Sequence, residues 1–243
     1  MLPKIDVPVY ELKLPILKKS IKYRPFLVKE EKILLMAMEA GDEKTVIDAV
    51  KQIINNCCLD DIDVNSLALV DMEYLFLNLR ARSIGEVVEL QYKCNNTVQD
   101  ENGQDKICAN VVPIEVNLLD IKPQIEKDHT NKIEFSPNMG MMMKYPNMKM
   151  IEVVEGESEV EKMMNLILDS VDLIYDKDTI YYSKDIDRNE LLEFIESLTK
   201  EQFEKVQKFF TTLPKIKKDL DFKCKKCGHN EKVTIERNQN FFV

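Results

Sequence analysis

From residue 29 to about 84 the apolar positions recur at helical spacing. A helix over Val28–Ala40 carries the apolar residues Ile33, Leu34, Leu35, Met36 and Met38, and Gly41 stops it where a helix C-terminus favours glycine. Asp42 caps a second helix running to about Asn56, with Val46, Val50, Ile53, Ile54 and Cys57 on one face. A third helix spans roughly Val70 to Ala81. Its core candidates are Leu75, Phe76 and Leu79, with Arg80 and Arg82 near its negative end.

The pattern changes at Gly85. Val88, Leu90 and Tyr92 alternate with Val87 and Glu89, which is strand spacing, and a second strand reads from Val111 to Leu118. Between them lies a polar loop containing Asn102-Gly103. Residues 85–154 therefore read as a β-rich middle, including Lys132–Phe135 and the methionine-rich stretch Met139–Met150. Methionine adapts to irregular surroundings, so this stretch serves either as core filling or as a partner surface.

Residues 155–214 return to helix behind three start signals: Ser158-x-x-Glu161, Asp187-x-x-Glu190 and Thr199-x-x-Gln202. The first helix carries Val160, Met163, Met164, Ile167, Leu168 and Val171, and the last carries Phe203, Val206, Phe209, Phe210 and Leu213. Tyr175–Tyr182 reads as an extended link. At the other end of the chain, residues 1–28 form an arm with Pro3, Pro8, Pro15 and Pro25, which forbid a long helix. Its apolar residues belong either against its own domain or against a partner. With no Gly/Ser tract or repeat to mark a linker, 1–243 reads as one α+β unit. It has a helical N-terminal layer, a β-rich middle with a split zinc-ribbon-like hairpin pair, and a helical C-terminal third. Residues 215–243 supply a cysteine knuckle and an aromatic tail.

Composition narrows the function. The chain has 34 Lys+Arg against 43 Asp+Glu, a net charge of -9, which argues against a dedicated nucleic-acid binder. Six cysteines without a secretory leader point to a reducing compartment, and no apolar run has the length of a membrane span.

The chemistry gathers on cysteine. Cys224-Lys-Lys-Cys227-Gly228 is a knuckle that aims two sulfurs at one ion, and the only plausible complement is Cys94 with Cys108. Leu90-Gln-Tyr-Lys-Cys94 parallels Leu220-Asp-Phe-Lys-Cys224, so each pair reads as the tip of a hairpin. The expectation is one structural Zn2+ on Cys94, Cys108, Cys224 and Cys227. Free buried thiols, a redox dithiol, and His229 replacing one sulfur stand as alternatives. No G-x-G-x-x-G, P-loop, H-E-x-x-H or G-x-S-x-G pattern occurs, and four sulfurs leave no open metal position, so the chain reads as a binding protein and not an enzyme.

Ile21–Cys57 (IKYRPFLVKEEKILLMAMEAGDEKTVIDAVKQIINNC), Glu73–Cys94, Met143-Lys-Tyr-Pro146, Phe209–Gly228 and the Phe241-Phe242 terminus resemble the T4-like phage baseplate hub family. That family includes the hub protein and a hub assembly catalyst. The resemblance implies contractile-tail assembly in the host cytoplasm, as a chaperone-like factor or as a hub subunit of the virion. Its partners are then hub or other tail proteins, and no catalytic residues carry over. Expected partner contacts are Tyr10, Leu12 and Leu14 of the arm, Met141, Met142, Met143 and Tyr145, and Phe241 and Phe242 at the end. A zinc-ribbon adaptor in a transcription or other cytoplasmic complex is the alternative.

Overall fold

The computed structural model describes residues 5–152 and 158–236. It is an α+β fold in which the chain divides into two compact units, both discontinuous in sequence. Among the described residues, one is drawn from 5–62, 73–124 and 215–236, the other from 63–72, 125–152 and 158–214.

The first unit begins with the arm, which forms a β-hairpin. β1 (Tyr10–Lys13) pairs antiparallel with β2 (Ser20–Tyr23) in the register Tyr10↔Tyr23 and Leu12↔Ile21. Leu14, Ile21, Tyr23 and Phe26 are buried, so the prolines bound short strands and the arm is tucked into the protein. Helix α1 (Val28–Ala40) follows, closed by Gly41 at φ 68°. Its core face is Leu34 and Ala37, while the apolar Leu35 and Met36 are 53% and 59% exposed. A run of consecutive apolar residues cannot all face one side of a helix with 3.6 residues per turn. Helix α2 (Glu43–Cys57) is capped by Asp42, whose carboxylate accepts the Thr45 N–H, and buries Val50, Ile53, Ile54 and Cys57.

A buried ion pair ties this layer together. The Arg24 guanidinium lies 3.0 Å from Glu30, whose side chain is fully buried, and also donates to the Asn56 carbonyl. Glu30 in turn accepts the Leu27 N–H at 2.9 Å, closing the first turn of α1. Burial pushes the Glu30 carboxyl up, but the Arg24 and Leu27 hydrogen bonds more than reverse this and hold it below the usual range.

Helix α3 (Leu69–Ser83) buries Leu75, Phe76 and Leu79 as expected; its first four residues belong to the second unit. Then β3 (Val87–Lys93) runs to Cys94. β4 (Thr97–Gln99) and β5 (Asp105–Ile107) pair as a small hairpin, and β6 (Val111–Asn117) returns along β3. The stretch read as a loop is thus a hairpin set on top of a hairpin. β7 (Pro123–Gln124) is a short edge strand.

The second unit is a four-stranded antiparallel sheet with helices packed on it. β8 (Lys132–Ser136) and β9 (Met139–Met143) pair, and α4 (Met148–Glu152) follows, so the methionine-rich stretch ends in a helix and not in a strand. Gly140 is required by close approach: a Cβ there would sit on the Ile133 carbonyl oxygen and the Tyr175 ring. α5 (Glu159–Ser170) has the Ser158/Glu161 capping box, with Val160 and Met163 exposed. Val171, expected on that helix, opens β10 (Val171–Tyr175), which turns back as β11 (Ile180–Tyr182). The expected extended link is therefore a hairpin, and the sheet order is β11-β10-β9-β8. α6 (Arg188–Glu196) and the Thr199-capped α7 (Lys200–Thr211) complete the core, where Ile133, Met141, Met143, Ile167, Leu168, Ile195, Val206 and Phe209 meet.

The chain re-enters the first unit as β12 (Lys215–Lys223), hydrogen-bonded to β7 and to β13 (Asn230–Glu236), in the order β13-β12-β7. The basic run 215–218 lies on this strand.

Candidate metal centre

The β3–β6 and β12–β13 hairpins end in the same turn. At the C-terminal knuckle, the Cys224 N–H donates to the His229 carbonyl at 2.8 Å and the Gly228 N–H to the Cys224 carbonyl at 2.9 Å, with Gly228 at φ 74°. Upstream, the Cys94 N–H donates to the Asn110 carbonyl at 2.9 Å and the Ala109 N–H to the Cys94 carbonyl at 3.0 Å, with Ala109 at φ 52°. Cys94, Cys108, Ala109 and Asn110 thus stand where Cys224, Cys227, Gly228 and His229 stand. The upstream pair is a knuckle with the β4–β5 hairpin inserted between its sulfurs, which is why its sequence spacing hides it. The clue is the shared bracketing of each pair by two strands.

The four sulfurs converge. Cys94 Sγ lies 3.7 Å from Cys227 Sγ, and Cys108 Sγ lies 3.8 Å from Cys224 Sγ, so each close pair takes one sulfur from each hairpin. All four lie within 4.8 Å of one another. A tetrahedral zinc with Zn–S bonds of about 2.3 Å needs sulfurs about 3.8 Å apart. The donor set and its spacing fit zinc. No disulfide joins any of the six cysteines.

The surroundings cover most of the cluster, with Cys227 half-buried. Cys94, Cys108, Cys224 and Phe222 are buried, with Tyr92, Val98, Val112, Ile114 and Val233 packed around them. The Tyr92 ring meets Phe222 edge-on at 4.6 Å, and its hydroxyl donates to Glu231 at 2.6 Å, bracing one hairpin on the other. His229 approaches Glu231 at 3.4 Å and is not among the four converging ligands. Backbone N–H groups of Cys227 and Lys226 pull the Cys224 thiol down to about 6, whereas burial pushes Cys94 up to about 12. Cys57 and Cys58 lie apart from this cluster, and burial raises both thiols, to about 11 and about 12.

The expected partner contacts fall in different places. Leu14, Met141 and Met143 are buried inside the protein. Tyr10, Leu12, Met142 and Tyr145 are half-buried. The Arg82 guanidinium lies 4.8 Å from the Tyr10 ring centroid, and the Tyr145 hydroxyl lies 3.0 Å from His129 Nε2. Phe241 and Phe242 lie outside the described residues. In the second unit an open cavity of about 360 Å³ is lined by Asp128, Lys132, Glu134, Lys205, Lys208 and Thr212, among others. Its charges are matched locally: Lys132 with Glu134, Lys208 with Asp128, and Lys205 with the Glu134 carbonyl. Among the described residues, no helix is long and apolar enough to cross a membrane.

No curated protein and no solved structure matches the chain. A family model described as T4 bacteriophage base plate protein matches residues 7–243, nearly the full sequence, and the chain belongs to that family.

Proposed function

We propose that this protein assists or joins the assembly of the phage baseplate hub through protein–protein binding, without bond chemistry, and that Cys94, Cys108, Cys224 and Cys227 hold one structural zinc. The observation that carries the assembly reading is the near full-length family match. The spacing of the four sulfurs supports the metal, and with all four positions filled by protein a zinc there has no open position for substrate. Its chemistry is to lock two hairpins, 133 residues apart at Cys94 and Cys227, into one rigid β platform. That platform presents apolar Val87, Ile107 and Val111, which are 57%, 60% and 51% exposed. Such a surface suits a partner in the host cytoplasm, where the family resemblance places tail assembly.

Affinity capture of the full chain from infected cells tests this reading. Enrichment of hub proteins over all other tail and host proteins is expected; recovery of polymerase subunits without tail proteins would overturn it. Mass spectrometry of purified virions beside lysate then separates the two roles. A fixed small copy number in the particle makes the protein a subunit, and its absence there makes it a chaperone-like factor.

A further inference from the structure

Each close pair of sulfurs is spanned by one asparagine. Asn96 donates its backbone N–H to Cys94, and its side-chain Nδ2 lies 3.7 Å from Cys227 Sγ. Asn110 donates its backbone N–H to Cys108, and its Nδ2 lies 3.6 Å from Cys224 Sγ. Two residues thus touch all four sulfurs, and each reaches across from the β3–β6 hairpin to the β12–β13 hairpin.

We propose that Asn96 and Asn110 are positioning residues that orient the metal-binding sulfurs of the opposite hairpin and make the site retain its ion. This rests on the zinc reading above. Four thiolates around Zn2+ leave a net charge of about −2 in a buried place, and hydrogen bonds to the sulfurs disperse it. Within its own knuckle Cys224 takes the backbone N–H groups of Lys226 and Cys227, and the upstream sulfurs take those of Asn96 and Asn110. The two side-chain amides add donors that cross from the upstream hairpin to Cys224 and Cys227, which come from the other end of the chain. Asparagine suits the task because its NH2 group donates to sulfur and carries no charge. Aspartate has nearly the same shape but would set a carboxylate against a thiolate.

The test uses the full chain and four variants: Asn96→Asp, Asn110→Asp, Asn96→Ala/Asn110→Ala, and Tyr92→Phe as a control. The control removes a hairpin-to-hairpin hydrogen bond without touching sulfur. Zinc affinity is measured by chelator competition, and Co2+ replaces Zn2+ to read the sulfur-to-metal charge-transfer bands. Each aspartate variant should bind zinc about 10–100-fold more weakly. Loss of the two side-chain N–H donors in the double alanine variant should move the cobalt bands to lower energy, because a less hydrogen-bonded thiolate gives up an electron more easily. Tyr92→Phe should lower stability and leave the bands in place. A folded double variant with wild-type affinity and wild-type bands would overturn the proposal; if that variant does not fold, the single variants decide by the same two readings. A wild-type chain that takes up neither Zn2+ nor Co2+ would instead overturn the zinc reading itself.

Discussion

Ala109 occupies the place of Gly228. Both residues follow the second cysteine of their pair, both have positive φ (52° and 74°), and both donate their N–H to the carbonyl of the first cysteine. Only one of them is the residue that this backbone conformation favours. Left-handed backbone costs a residue with a Cβ about 1–2 kcal/mol relative to its right-handed alternative.

Ala109→Gly should therefore stabilise the protein by up to about 1 kcal/mol, with part of the gain offset by the greater freedom of glycine in the unfolded chain. Gly228→Ala should destabilise by a similar amount. Thermal denaturation of the two variants in saturating zinc checks both signs, and equal effects in the same direction would dismiss the equivalence of the two turns.

Glu30 should be the most sensitive charged position in the N-terminal layer. Glu30→Ala leaves Arg24, only 16% exposed, without its carboxylate, and removes the acceptor for the Leu27 N–H. Breaking a buried pair from one side costs about 3–5 kcal/mol. The pH dependence has a fixed sign. Because the folded-state carboxyl titrates below its ordinary value of 4.5, its contribution is complete above that pH and is lost as pH falls through the depressed value. Urea denaturation from pH 7 to pH 3 should show this loss in the wild type and not in Glu30→Gln.

His129 supplies a second, milder pH response. The Thr212 hydroxyl donates to the Lys208 carbonyl at 2.7 Å, so it accepts from His129 Nδ1–H at 2.9 Å. Nε2 is then left to accept from the Tyr145 hydroxyl at 3.0 Å. Phe209 stacks on the ring, and burial lowers the imidazole below its ordinary 6.5. The folded state thus favours neutral histidine, while the unfolded chain binds the proton first. Stability should fall as pH drops below about 6.5, and His129→Gln should lack that segment of the curve.

Gly140 sits among methionines with no sequence signal of its own. Gly140→Ala should destabilise by about 1–3 kcal/mol, because the obstructing Ile133 oxygen is backbone and cannot rotate away. Equilibrium unfolding reads this directly; a neutral result would mean that the β8–β9 ladder can shift.

What was legible in the sequence follows from how local each signal is. Asp42, Ser158 and Thr199 act on amides two or three residues away, so their helices began where the caps announced them. The cysteine clustering was readable because similar residues flank Cys94 and Cys224. Asn96 and Asn110 were invisible, since their side-chain targets lie 131 and 114 residues away. In the arm, proline forbids a long helix, which the structure bears out, but it carries no signal for the pairing of β1 with β2. Composition leaves Met141 and Met143 open between core filling and a partner surface, and alternation on β9 places both in the core and leaves Met142 half-buried. The Arg24–Glu30 pair spans only six residues, but its burial depends on α2 passing beside it.

The central structural claim is a single zinc held by sulfurs from both hairpins. Native mass spectrometry of the chain purified without added metal tests it most directly, beside the Cys94→Ser and Cys224→Ser variants, one from each hairpin. One zinc per wild-type chain is expected, lost from both variants together with a marked drop in thermal stability. A metal-free wild type of undiminished stability, or a Cys94→Ser variant that keeps its zinc, would contradict it.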